Sequence, residues 1–179
     1  QVIIYKSGTA TSENFLDKLK STFLDKDRWV YLVQGLGNTL LITVLAVVIG
    51  IVLGFIIAMI RSTNQLTGRL KIPNFICRIY LTVVRGTPMV VQLLIIYFVV
   101  FSSVNISKVL VAVIAFGLNS AAYVAEIVRS GIMSVDRGQF EAGSSLGFSY
   151  TRTMVSIILP QAVRNILPAL GNEAIVLLK

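Results

Sequence analysis

The chain has 179 residues, of which 55% are hydrophobic and only 13% charged, and its mean hydropathy is +0.82. A soluble domain carries about a quarter charged residues, so this composition excludes one and places the chain in a membrane. The formal net charge of +8 does not indicate nucleic acid, because the bases flank apolar runs instead of forming one stripe; zero histidines and a single cysteine, Cys77, remove the usual general base, the commonest metal ligand and any internal disulfide.

Residues 1–28 mix five bases with four acids and contain nothing able to span a bilayer. Phe15, Leu19 and Phe23 recur at four-residue spacing, an apolar stripe suited to a helix on the membrane surface or against a partner. Residues 1–35 are therefore read as an extracellular or interfacial segment. Gln1 is no initiator methionine, no signal-peptide pattern follows it, and Lys179 falls inside an apolar run, so both ends read as cut.

From Leu36 to Ile60 an apolar block is long enough, at about 1.5 Å per residue, to cross a hydrocarbon core of ~30 Å. Gly50 and Gly54 lie four apart on one face, a pair that seats a neighbouring helix closely. Arg61 to Arg78 follows with Arg61, Arg69, Lys71 and Arg78 and no acid, which reads as a cytoplasmic loop. No Asp or Glu occurs between Asp27 and Glu126, so lipid headgroups are the natural counter-ions of these bases.

A second span begins near Phe75 and passes through Arg85-Gly86-Thr87-Pro88 before the apolar block Met89 to Phe101. That block alone is short for a crossing, so the helix starts earlier and carries Arg85 and Pro88 into or near the membrane, with Pro88 freeing a backbone carbonyl and bending it. A broken helix marks a working region. Arg-Gly-Thr-Pro followed by Val91-Gln92-Leu93 and Tyr97-Phe98 resembles the second-helix signature of the polar amino-acid subfamily of ABC importer permeases.

After a short polar turn, Ser102 to Lys108, a third span runs from Val109 to Met133. Asn119, Tyr123, Glu126 and Ser130 fall at i, i+4, i+7 and i+11, one polar stripe on an apolar helix, and such stripes face protein or water. Glu126 sits about five residues from the middle of this span, roughly 7.5 Å along the axis. A charge at the centre of a span costs about 2.5–3.5 kcal/mol, so the carboxylate needs a cation or a water-filled cavity. Arg85 is the candidate partner. If the two pair permanently, the pair is structural; if the stripe faces the central path, Glu126 receives a substrate charge while Asn119 and Gln92 supply neutral hydrogen bonds. Ala122-Tyr123, Ala125-Glu126, Arg129, Gly131-Ile132 and Gly138-Gln139 are also similar to the same subfamily.

The polar interruption at Asp136–Gly147 carries the longest pattern. Glu141-Ala142-Gly143, then Gly147, Ile157, Leu159-Pro160 and later Arg164, Pro168 and Asn172 stand at fixed spacings that resemble the cytoplasmic coupling loop of ABC importer membrane subunits. One departure is Gly143, where the family's pattern has alanine. Physically the stretch reads as helix, turn, helix: small residues for close approach, Gly147 for a sharp turn, and Pro160 to stop the second helix before a fourth span containing Pro168 and Asn172-Glu173.

The resemblance, over roughly Leu36 to Lys179, implies an all-α integral membrane protein with the type I ABC importer permease fold. About four spanning helices lie in this chain, a fifth is expected beyond Lys179, and the coupling loop occupies about 134–160 of a domain covering 36–179. It further implies a permease subunit moving polar or basic amino acids by alternating access in a bacterial cytoplasmic membrane. Its partners would be a second permease copy, identical or related, two ATPase subunits and an extracellular amino-acid-binding protein. Gly138, Glu141, Ala142, Gly143, Leu146 and Gly147 would couple to the ATPases; Arg85, Gln92, Asn119, Tyr123 and Glu126 would line the substrate path. No cofactor or metal is expected on this chain: no phosphate loop is present, and ATP would reside on the partner. A stand-alone channel or secondary carrier is the rival reading, disfavoured because no internal repeat is visible; an intramembrane enzyme lacks a nucleophile and base.

Four bases between Arg61 and Arg78 against one, Lys108, in the next turn put the N-terminus and Ser102–Lys108 outside. Ser103→Cys is therefore expected to react with an impermeant maleimide from outside sealed cells; reaction only from the cytoplasm would invert the topology.

Overall fold

The computed structural model describes residues 28–178, and every element among them is helical. Helix α1 is Arg28–Thr67, α2 is Lys71–Gly86, and α3 is Met89–Ile95, continued by a π turn at Ile96–Val100. Helix α4 is Lys108–Met133 and α5 is Arg137–Ser145. A short α6, Tyr150–Thr153, passes through a π turn at Met154–Ile158 into α7, Leu159–Leu177. The chain divides after Asn38 into two units. Of the first, the described part is helical with Tyr31, Leu32 and Leu36 exposed. The stripe Phe15, Leu19, Phe23 lies outside the described residues. The second unit, Thr39–Lys179, carries the buried core.

Among the described residues, three helices are long and apolar enough to cross a membrane: Trp29–Thr67, Lys108–Met133 and Tyr150–Leu177. The pair Lys71–Gly86 and Met89–Val100, bent by 110° at the break, passes the same test of length and composition together and makes a fourth when counted as one span. The first helix exceeds the Leu36–Ile60 block at both ends, and the expected loop Arg61–Arg78 shrinks to Gly68–Leu70. Hydropathy marks where the apolar core ends, whereas Arg61, Gln65 and Leu66 remain good helix formers and carry the helix past it. The helix ends at Gly68 and Leu70, both with positive φ.

Pro88 breaks the second span outright. Its ring drives Thr87 to an extended conformation (φ −117°, ψ 143°), and α3 restarts immediately afterwards. The carbonyls freed by the break are not left bare: the Gln92 side-chain amide donates to Val84 O at 2.6 Å and to Thr87 O at 3.0 Å. Pro160, in contrast, stops nothing. The chain is helical from Tyr150 to Leu177, and the π turn just before Pro160 already replaces the i−4 pattern, with Leu159 N–H bonding Met154 O.

Helix α4 is the centre of the core. Val124, Val128 and Ile132 pack with Ala58 of α1 and with Met154, Ile158, Ala162 and Ile166 of the α6–α7 helix; on another face Ala122 and Ala125 meet Leu81 of α2. Gly50 and Gly54 do seat α4: a Cβ on Gly54 would stand 2.7 Å from Val124 Cβ, and one on Gly50 would stand 2.5 Å from Ser120 Oγ. In lipid, helices associate by packing and not by hydrophobic transfer, so this proximity is what holds them.

Gly54→Ala is expected to lower the unfolding temperature of the detergent-solubilised protein, at a cost of about 1–3 kcal/mol. Gly171→Ala, where a Cβ meets nothing within 4 Å, is expected to leave it unchanged or raise it slightly.

Candidate functional site

The polar stripe of α4 opens into two cavities. Asn119 and Tyr123 line one of about 640 Å³, with Thr39, Thr43 and Phe116 and, from α7, Glu173. Its walls are otherwise apolar: Ile42, Ala46, Met89 and Val176. Tyr123 also borders a second cavity of about 610 Å³, together with Arg85, Glu126, Ser130, Ser134 and Asn165. Tyr123 therefore stands between the two, and the Arg85 guanidinium lies 5.5 Å from its ring centroid.

Gln92 and Asn119, expected to offer hydrogen bonds to a substrate, bond each other: Asn119 Nδ2 donates to Gln92 Oε1 at 3.1 Å. With its amide nitrogen on Val84 O and Thr87 O, Gln92 is committed at both ends to holding the helix break against α4. Asn119 also lines the larger cavity.

Glu126 pairs with the expected Arg85 and, more closely, with two further guanidinium groups. Arg61 donates to its carboxylate at 2.8 Å, Arg129 chelates the other oxygen from the next turn of α4, and Arg85 is the loosest of the three at 3.8 Å. Arg129 also donates to Gln65 of α1 at 3.1 Å. Hydropathy ends the span before Arg61 and leaves that base to a loop and to lipid, yet α1 runs on and turns it inward. The i,i+3 spacing of Glu126 and Arg129 was a signal within reach. Glu173 was equally legible: it is a second carboxylate inside an apolar span, and the desolvation argument applied to Glu126 applies to it unchanged.

The stretch Arg137–Tyr150 folds as helix, turn, helix. Asp136 Oδ1 caps α5 by accepting from Gly138 N–H at 2.7 Å. At the other end Phe148 N–H bonds Gly143 O and Gly147 N–H bonds Ser144 O, both at 3.0 Å, with Gly147 at φ +76°; this is a Schellman closure that a side chain at 147 would strain. Gly143, the departure from the family's alanine, is buried where a Cβ would meet the Thr153 side chain at 2.6 Å. Gly138, Glu141, Ala142 and Leu146 are exposed, Leu146 at 71%. The Arg137–Glu141 pair, 3.7 Å apart and open to solvent, contributes little to stability. Leu146 and the small residue Ala142 thus stand open to solvent on and beside a short, firmly capped helix. Leu66 and Thr67 of α1 share a cavity with Phe140 and Glu141, so this loop and the Arg61 end of α1 lie at one end of the bundle.

The family model described as a binding-protein-dependent transport system inner membrane component matches residues 50–179. The probable amino-acid ABC transporter permease protein YckA of Bacillus subtilis (strain 168) is 42% identical over 160 residues, 89% of this chain and 69% of that protein. The arginine transport system permease protein ArtQ of the same organism is 48% identical over 107 residues, 59% of this chain and 49% of its own length. Among solved structures, a crystal structure of an amino acid ABC transporter with histidines aligns with a TM-score of 0.75 at 43% identity, covering 92% of this chain and 72% of that chain. The chain thus spans from about half to about seven-tenths of the length of these relatives.

Glu126→Gln removes the one carboxylate among three guanidinium groups whose side chains are 22–42% exposed. The expected loss of stability is about 2 kcal/mol, between the values for exposed and buried pairs, and adding Arg61→Gln is expected to recover part of it. Thermal unfolding of the single and double variants measures both; an unchanged midpoint in Glu126→Gln would deny the network a structural role.

Proposed function

The chain belongs to the binding-protein-dependent transport system inner membrane components, as an ABC permease of the polar amino-acid subfamily, and from that premise we propose that it moves polar or basic amino acids inward by alternating access. The observation that carries the substrate class is Glu173 in the larger cavity. An apolar chamber of about 640 Å³ with one carboxylate, the Asn119 amide and the Tyr123 ring suits an amino acid: the carboxylate takes a cationic group, the amide accepts or donates to the backbone end, and the apolar wall covers the aliphatic stem. On this reading Asn119 and Tyr123 belong to the substrate path, Gln92 supports them from behind, and Arg85 and Glu126 belong to the charge network that joins α1, α2 and α4.

The same reading gives α5 the task of docking an ATPase partner, with Glu141, Ala142 and Leu146 at the contact and Gly143 and Gly147 fixing its angle. Hydrolysis of ATP takes place on that partner, two of which serve a pair of permease chains, identical or related. An extracellular binding protein delivers the amino acid. The N-terminus lies outside and α5 inside a bacterial cytoplasmic membrane. The family favours this reading over a stand-alone channel or carrier.

Uptake of labelled arginine, histidine and glutamine by proteoliposomes holding the chain with its ATPase and binding protein tests it. Glu173→Gln is expected to reduce arginine uptake about tenfold or more, the loss of one hydrogen-bonded charge contact, while glutamine falls less. Gly147→Leu is expected to leave the complex assembled and to abolish substrate-stimulated ATP hydrolysis. Unaltered arginine uptake in Glu173→Gln would remove the cavity from the substrate path.

A further inference from the structure

A third cavity, of about 510 Å³, is lined by Arg61, Arg78, Leu81, Thr82, Arg85, Gly86 and Glu126. Its walls bring three guanidinium groups to one carboxylate, and that carboxylate is already taken up by Arg61 and by Arg129 from behind. Arg85 reaches it only at 3.8 Å and is the most exposed of the three that pair with it. Arg78 has no hydrogen-bond or ion-pair partner among the described residues. The other acids among the described residues are engaged elsewhere: Asp136 caps α5, Glu141 pairs with Arg137, and Glu173 lines the larger cavity. The cavity therefore holds uncompensated positive charge beside the apolar core of the membrane, where charge left without a counter-ion is costly.

Arg78, Thr82 and Arg85 stand at i, i+4 and i+7, so two forked donors and a hydroxyl share one face of α2. The adjoining face carries Ile72, Ile76, Ile79 and Val83, all exposed. An anionic group flanked by aliphatic chains complements this pairing of faces. A free amino acid would bring a carboxylate but leave the apolar stripe uncovered. Arg61 lies toward the end of the bundle that holds α5, the end that the proposed orientation turns to the cytoplasmic leaflet.

We propose that the cavity between α1, α2 and α4 binds the phosphate of one anionic phospholipid, with Arg78 and Arg85 as its ligands, Thr82 as an additional donor, and the acyl chains lying along Ile76, Ile79 and Val83. The lipid supplies the negative charge that the chain lacks at this point, and so holds α2 against the Arg61–Glu126–Arg129 network. Basic pockets between spanning helices on the cytoplasmic side take anionic headgroups by the same physics, and Arg matches the oxygens of a phosphate bidentately. The lipid site is independent of which substrate the larger cavity accepts.

The test uses the assembled complex purified from bacterial membranes, exchanged into nanodiscs of phosphatidylglycerol mixed with phosphatidylcholine, with retained lipid read by native mass spectrometry. Wild type is expected to retain phosphatidylglycerol over phosphatidylcholine. Arg78→Gln is expected to retain about fivefold less, the equivalent of one base near an anionic headgroup, and Arg78→Lys to keep most of it. Arg78 is exposed and outside the Glu126 network, so the variant folds. Excess inorganic phosphate is expected not to displace the lipid; displacement would make this a site for a free phosphate. Equal retention of both lipids, wild-type retention in Arg78→Gln, displacement by arginine or glutamine, or a fall in oligomeric order in Arg78→Gln without change in lipid would each overturn the proposal, the last in favour of a second copy covering this face.

Discussion

Close approach of backbones across α4 is the constraint on which the rest of the structure depends. Lipid tails are as apolar as leucine, so nothing squeezes these helices together as water would; they stay together because small residues let many atoms touch. Gly50 and Gly54 bring α1 onto Ser120 and Val124, while Ala122 and Ala125 bring α2 in from another side. With α4 gripped on these faces, its remaining polar residues have fixed positions. Asn119, Tyr123, Glu126 and Ser130 open onto the cavities because the other faces of the helix are full.

Two polar obligations arise from that arrangement, and each is met inside the protein. The Pro88 break frees carbonyls within an apolar segment, and Gln92 covers those of Val84 and Thr87 from the restarted helix. Glu126 places a carboxylate within an apolar helix, and Arg61 and Arg129 close on it. In both cases the satisfying group also ties two helices together: Gln92 joins the break to Asn119, and Arg129 joins α4 to Gln65. The polar groups thus reinforce the contact made by the small residues.

The existence, order and class of the spans could be read in the sequence because long apolar runs have few alternatives. The positions of Gly147 and Pro88 were legible for a related reason: each imposes a backbone geometry whatever surrounds it. Of the ion-pair partners of Glu126, Arg85 was legible and Arg129 lay within reach at i,i+3, but Arg61 was not, because its place depends on how far α1 continues beyond its apolar block, which propensity decides and hydropathy does not. Pro160 misled because a proline ends a helix only where an i−4 bond would be required, and the π turn at Met154–Ile158 had already changed the pattern. Gly143 looked like a departure from a motif and is instead fitted to Thr153, a neighbour that only the folded turn supplies.

That π turn sits within one long helix. The helix from Tyr150 to Leu177 is continuous, so Tyr150, beside the α5 turn, and Glu173, in the cavity wall, are two points on one rod about 35 Å apart. A π segment closes its hydrogen bonds over five residues where the flanking α-helix closes them over four, and such bulges are frequent at functional sites. Met154 and Ile158 are buried against Val128 and Ile132, and Tyr150, Ala162 and Ile166 pack on the same cluster, so the wide turn is held within the core. Tyr150 at the coupling-loop turn and Glu173 in the cavity wall are thus parts of one element, whose single wide turn lies where the packing is densest.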